Sequence, residues 1–295
     1  MNGCKARYLI FFQYLGTKYS GVVKAPPDQP VKGIQNYLED AVRKLKPVNE
    51  VAVYISSRTD AGVHALCNSA HVDIQRRTGM PPFTGEVLAE ALNFQLRPEA
   101  IRIVGAHRVA DTFHAQRRAV ARTYVYRLAT GASRQAPLPL MERNLCWPLR
   151  DSELNIGAMQ EAGTLLLGRH DFSTFRALSS DAPFQDPVKT LLHASIEPGR
   201  ESFAQHHFHR NLQFWEVTFR CRSFLYKQVR RMTGALVAVG RGKLSLSQLQ
   251  ELLEARDSLA YPTSMLAPPD GLFLTRVEYE EQDLLHHRQD WLTES

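Results

Sequence analysis

VAVYISSRTDAGVHALCNSAHVDI, residues 51–74, is the stretch on which the fold turns. Residues 51–56 carry the β-branched and aromatic side chains of a strand, and Ala70, Val72 and Ile74 fall on every second position of another. Between them lies the polar run Ser57-Arg58-Thr59-Asp60-Ala61-Gly62. A glycine-containing polar turn joining two strand patterns is a loop held by a sheet, and loops of that kind are where rigid scaffolds present reactive side chains.

Working outward, residues 6–16, ARYLIFFQYLG, read as a buried strand ending at Gly16. Ile34, Leu38, Ala41, Val42 and Leu45 then share one face of a helix over about residues 31–46. A helix around Val87, Leu88, Ala91 and Leu92 follows, with strands at 101–109 and 122–129. Residues 131–150, rich in Pro, Arg and small side chains, read as a connector. Beyond it comes a helix bearing Leu154, Met159, Ala162, Leu165 and Leu166, closed by Gly168. Strands near 188–196 and 212–220, helices from about Phe224 to Val239 and over 246–256, and a last strand at 272–279 complete the pattern. The expectation is an α+β protein of two fused α/β halves, with a mixed, mainly antiparallel central sheet flanked by helices. Its N-terminal half, 1–115, carries the aspartate loop. The C-terminal half, 116–280, carries a central strand, a basic helix and the last strand, and 281–295 is a tail. No sequence repeat accompanies this alternation.

The 295 residues are 44% hydrophobic and 22% charged, ordinary values for a globular chain and wrong for a largely disordered one. The net charge of +6 favours a polyanionic partner. The surplus gathers at Arg117, Arg118, Arg122 and Arg127 and again at Lys227, Arg230, Arg231, Arg241 and Lys243. Four dispersed cysteines with no Cys-x-x-Cys pair give neither a zinc site nor a disulfide framework. His206, His207 and His209 lie in a polar interruption read as a hairpin loop rather than a metal site. No apolar run is long enough to span a bilayer, and no Arg-rich, Ser-rich amphipathic leader opens the chain.

A carboxylate beside a guanidinium favours its charged form, which suits a nucleophile better than a proton donor. Asp60, two residues from Arg58, fits that description, although a lone Asp after a strand more often caps a helix or closes an Asx turn. The eight residues Arg58-Thr59-Asp60-Ala61-Gly62-Val63-His64-Ala65 reverse those odds, because they resemble the motif around the catalytic aspartate of the tRNA pseudouridine synthase A family. The resemblance continues in order through Phe113-His114-Ala115, Ala121–Tyr126, Gly168–Phe175, Phe224–Arg231 and Gly271–Leu274, covering roughly residues 6–280.

That resemblance implies the pseudouridine synthase fold and a cofactor-independent isomerase that flips a uridine out of the anticodon arm of tRNA. Messenger RNA is a further candidate substrate, no membrane is involved, and homodimers are implied. The animal branch of the family adds a mitochondrial address, with cytoplasm or nucleus as the alternative. Carried over residue by residue, Asp60 is the nucleophile, Arg58 the arginine that holds the flipped state, Tyr124 the tyrosine against the base, and Arg230 the second basic group of the site. Lys227 and Arg231 would bind phosphates, and Leu272 with Phe273 would form an apolar wall beneath the base. By helical spacing, Lys227, Arg230 and Arg231 point largely away from the apolar face made by Leu225, Val229, Met232 and Leu236, so a solvated basic stripe is the ordinary reading. Ser57 stands where the family commonly has Gly, and Gln116 where Arg is usual. Two rival readings share the motif: an RNA-binding protein without turnover, and a glycoside or nucleoside hydrolase needing a second acid such as Asp171 opposite Asp60.

Overall fold

The computed structural model describes residues 4–132, 138–149, 154–179, 185–199 and 211–284. His206, His207 and His209 lie outside them. Two compact units are present: unit 1 comprises residues 1–121 and 274–295, and unit 2 residues 122–273.

Unit 1 begins with β1 (Lys5–Tyr14), in which Tyr8, Leu9, Ile10 and Phe12 are all shielded. Helix α1 (Ile34–Lys44) follows, then β2 (Val53–Ile55), β3 (His64–Gln75), α2 (Gly85–Gln95), β4 (Ile101–Val109) and the short α3 (Ala115–Arg118). β1 lies between β3 and β4, antiparallel to both, and β2 pairs antiparallel with β3. Local chemistry sets the helix starts: the Thr84 side chain accepts a bond from the Val87 amide and so caps α2. The first strand stops at Tyr14, two residues before the expected Gly16. Gly16 opens a 3-10 turn instead.

Unit 2 is built on β5 (Ala121–Thr130), whose first residue still belongs to unit 1. It continues with β6 (Trp147–Pro148), α4 (Ile156–Leu165), β7 (Gly168–Asp171), β8 (Val188–Pro198), β9 (Gln213–Cys221), α5 (Gln228–Gly240) and α6 (Leu246–Ala255). The strands run β5-β9-β8-β7, each pair antiparallel, with β6 parallel to β5. Asn155 caps α4 by accepting from Ala158, and Ser245 with Gln248 forms a capping box on α6. The chain returns to unit 1 within β10 (Leu272–Glu278) and ends, among the described residues, in α7 (Glu281–Leu284). The architecture is α+β with mixed, mainly antiparallel pairing.

Three local expectations differ from this. The connector at 131–150 carries a 3-10 turn at Leu140–Glu142 and the two-residue β6, pieces too short for a periodic pattern to reveal. Gly168, at φ +90°, does not follow the helix directly; it opens β7, an edge strand of four residues, GRHD, without a single apolar side chain. Helix α5 begins at Gln228 rather than Phe224, because Lys227 is held at φ 58°, a left-handed conformation that no helix interior contains.

Candidate active site

In unit 1 the aspartate turn is fixed by backbone contacts on three sides. The Thr59 carbonyl accepts from the Val22 amide at 3.1 Å, the Ser56 amide donates to Ser69 at 2.8 Å, and the Asp60 carbonyl accepts from Val63 at 3.2 Å to close the turn, with Gly62 at φ +81°. Two glycines make the close approach possible. A Cβ on Gly16 would sit 1.9 Å from the Val63 carbonyl oxygen, and one on Gly21, already at φ +114°, would sit 2.8 Å from that of Thr59.

Side chains complete the support. The Tyr14 hydroxyl shares a 2.7 Å hydrogen bond with the Thr59 hydroxyl, and the Asn68 amide donates to the Ser57 carbonyl at 3.0 Å and to Tyr14 at 3.3 Å. Burial pushes the Tyr14 phenol up to about 12, so it stays protonated and available for this network. His64, fully buried, accepts the Gly16 amide on Nδ1 at 3.0 Å, which makes it a structural member of the motif. Arg58 is exposed and Asp60 half-buried on the same turn. The backbone that carries Asp60 is therefore placed before any ligand arrives.

In unit 2, Tyr124 lies on β5 opposite Phe219 of β9 and is largely buried, its ring edge-on to Phe224 at 5.2 Å. The segment bearing Phe224 is pinned at both ends: the Arg122 guanidinium donates to the Arg222 carbonyl at 2.5 Å, and the Leu225 amide donates to the Gln228 side chain at 2.8 Å. Lys227 is the N-terminal boundary of α5, its ammonium 4.9 Å from the Tyr226 ring. Leu272 and Phe273, at the start of β10, are buried. Gly271 precedes them because a Cβ there would meet the Arg127 carbonyl at 2.6 Å and the Tyr126 ring at 2.7 Å.

The expected solvated stripe is absent from α5: every residue from Gln228 to Gly240 is buried, Arg230 and Arg231 included. Arg230 donates from Nε to the Ala267 carbonyl at 2.9 Å, while the Ala267 amide donates back to the Arg230 carbonyl at 3.3 Å. Arg231 goes further. Its Nη1 faces the carbonyls of Thr174, Arg176 and Ser258 at 2.8, 2.7 and 3.1 Å, and its guanidinium lies 4.7 Å from the centre of the Tyr261 ring. Burial pulls its pKa down from the usual arginine value, yet a guanidinium remains charged, and the carbonyls supply the solvation that water would have given. Helical spacing could not show this, because the partners come from segments 27 to 57 residues away in sequence.

Residues 10–116 and 162–280 match the tRNA pseudouridine synthase family. The chain is 56% identical over 284 residues to tRNA pseudouridine synthase-like 1 of Xenopus laevis, covering 96% of this chain and 95% of that protein. It belongs to the tRNA pseudouridine synthase family. A human protein, also called tRNA pseudouridine synthase-like 1, is 52% identical over 276 residues, 93% of this chain and 90% of its own length. Bacterial tRNA pseudouridine synthase A from Afipia carboxidovorans is 37% identical over 273 residues, 92% and 99% of the two chains. Within this family the chain is an RNA-modifying isomerase, and its α+β fold agrees with membership. No helix among the described residues is long and apolar enough to cross a membrane.

Reading the sequence for site residues did not single out Tyr14, Gly16, Gly21, Asn68 or Arg122 as supports. The glycines had a signal, since small residues preceding a polar loop often mark close backbone approach. Tyr14 and Asn68 had none, because a strand tyrosine and a strand asparagine are compatible with many environments. Asp171, the second acid a hydrolase would need, uses Oδ1 to accept the Ser173 amide at 2.9 Å, an ordinary turn-closing bond.

Proposed function

We propose that this synthase converts uridine to pseudouridine in the anticodon stem-loop of tRNA, with Asp60 as nucleophile acting on a flipped-out base. The observation that carries the reading is the anchored turn: the whole Arg58–Ala65 motif is present, and its backbone is held so that Asp60 is accessible without being mobile.

The reaction breaks the N1–C1′ bond, turns the base, joins C5 to C1′, and moves the proton lost from C5 to N1, so atoms and electrons balance without a cofactor. Extruding the base costs a few kcal/mol of stacking. Arg58, exposed on the same turn, suits the task of occupying or bracing the vacated position. Tyr124 supplies an aromatic face for the base, and its edge-on contact with Phe224 restrains the ring. Arg230 is assigned to pair with the Asp60 carboxylate before RNA binds. Lys227 is assigned to a phosphate, and Leu272 to the apolar wall. Arg231, whose guanidinium already faces three carbonyls, supports RNA binding indirectly, by holding the start of α5 in place, and not as a phosphate ligand. We further propose a homodimer, messenger RNA as an additional substrate, and a mitochondrial address, all on the ground of family resemblance.

The test is to incubate purified protein with a tRNA transcript and map pseudouridine by base-resolved chemistry. Asp60→Ala is expected to lower turnover roughly 10⁴-fold or more while RNA affinity stays within a few-fold. An Asp60→Ala protein that still modified RNA would remove the nucleophile assignment. Release of free uracil would indicate hydrolysis, and binding without product would indicate an RNA-binding protein without turnover. Product at sites outside the anticodon arm would overturn the substrate assignment alone.

A further inference from the structure

At the β7 edge of unit 2 is a cleft of about 360 Å³, within the size range of sites that hold small ligands. Its apolar lining comes from Leu253 of α6, which is buried, and Val188 at the start of β8. Arg169 of β7 and Arg256, just past the end of α6, line it together with Asp171 and Glu254.

By count the four charges cancel, but their bonding does not. Asp171 accepts the Ser173 amide, and Glu254 accepts the Gln250 side-chain amide at 2.6 Å. Among the described residues neither the Arg169 nor the Arg256 side chain makes a hydrogen bond or ion pair. One oxygen of each acid is directed to its own segment by a neutral donor, which orients the carboxylate without discharging it, whereas the guanidiniums are not tied in this way. Arg256 holds that place at φ 50°, in the left-handed position past a helix end where glycine is the usual occupant. His170 of β7 and Gln250 of α6 complete the lining.

Apolar side chains and two planar cations lining one cleft fit a nucleotide: the base would cover Leu253 and Val188, and the phosphodiester would receive the guanidiniums, whose forked donors match phosphate oxygens. We propose that this cleft binds one unpaired nucleotide of the RNA substrate, at a place distinct from the reacting uridine. β7 stands three strands from β5 in the order β5-β9-β8-β7, so at about 4.8 Å per strand the cleft is roughly 14 Å from the strand bearing Tyr124. That distance separates it from a base lying against Tyr124 while leaving both within one RNA. The proposal deepens the RNA-modifying reading and rests on it.

The experiment compares full-length protein with Arg169→Ala/Arg256→Ala and with a control, Lys44→Ala/Lys46→Ala, that removes the same charge from unit 1. The probe is a full-length tRNA transcript, with affinity measured across a salt series and turnover under single and multiple conditions of RNA excess. The expected result is an affinity loss of roughly tenfold, a fall of about one to two in the slope of log K against log salt, an unchanged kcat, and no comparable effect in the control. Arg169→Lys/Arg256→Lys is expected to recover part of the affinity, which a merely misfolded variant would not do. Equal affinity and salt slope in wild type and the double alanine variant, with wild-type turnover intact, would sink the cleft assignment alone. An equal loss in the control would assign the effect to net charge and overturn it as well. A wild-type protein that binds RNA but yields no pseudouridine would defeat the catalytic reading, and the affinity comparison would still decide the cleft.

Discussion

The aspartate turn of unit 1 and the start of α5 in unit 2 both carry charged side chains, and they fix them by opposite means. Around Asp60 the backbone does the holding: glycines at 16 and 21 let two chain segments touch, and carbonyl-amide bonds lock the turn while the carboxylate stays half-exposed. On α5 the charged groups themselves are the fasteners, with Arg230 and Arg231 drawn inside and satisfied by carbonyls from remote loops. Unit 1 also buries a titratable group, but it does so in neutral form. His71 is 2% exposed, stacked on Tyr54 at 4.7 Å, and accepts the Ala115 amide on Nδ1. Burial, reinforced by Arg7 and His114, lowers its pKa to about 4. A buried cation needs partners that a buried neutral ring does not, which is why one region is sensitive to deletion of charge and the other to backbone shape.

The sharpest way to break this contrast is at Arg231. Replacing it by Leu leaves the Thr174, Arg176 and Ser258 carbonyls without their shared donor, an expected loss of about 3–5 kcal/mol in denaturant unfolding. A loss below about 1 kcal/mol would mean that the guanidinium is not a fastener. Gly16→Ala probes the other mechanism. With a Cβ 1.9 Å from the Val63 oxygen the turn must move, and a shift of about 1 Å at a catalytic group is expected to lower kcat roughly 100-fold, with about 2–3 kcal/mol of stability lost. Unchanged kinetics would show that the turn has no strict placement.

The pH dependence of stability sharpens the comparison further. In the unfolded chain His71 takes a proton near 6.5, whereas in the folded chain it does so only near about 4. Between those values the unfolded state binds more protons, so stability falls as pH drops through that window and is fully present above it. The expected loss by pH 4 is about 3 kcal/mol, and His114, shifted in the same direction by burial, adds to it. Equilibrium unfolding from pH 7 to pH 4 checks this, and His71→Gln is expected to flatten the curve; an equally steep curve in that variant would place the titration elsewhere. The smallest effect belongs to Tyr14→Phe, which deletes one hydroxyl from the Thr59–Asn68 network at about 1 kcal/mol. A modest fall in kcat with unchanged KM would identify it as a positioning residue, and a change in KM alone would not.

Much of this was readable along the chain. Strand β4 occupies the expected 101–109; α1 lies within a few residues of its apolar pattern, and α2 and α6 do so with caps, Thr84 and Ser245, that announce themselves locally. Edge strand β7 was invisible, since Gly-Arg-His-Asp has no alternation of apolar and polar side chains to detect. The burial of α5 was equally hidden. Period 3.6 separates apolar from charged positions, but it assumes that the charged side faces water.

What the sequence determined by itself was the order of the longer elements, the family and the eight-residue motif that bears Asp60, because each depends on neighbours within a few positions of one another. Only the tertiary structure decided that Arg231 is enclosed by carbonyls, that Tyr14 and Asn68 brace the turn, and that Arg169 and Arg256 line one cleft. Those facts are created by segments tens of residues apart meeting in space, and desolvation acts on where a group ends up, not on which residues precede it.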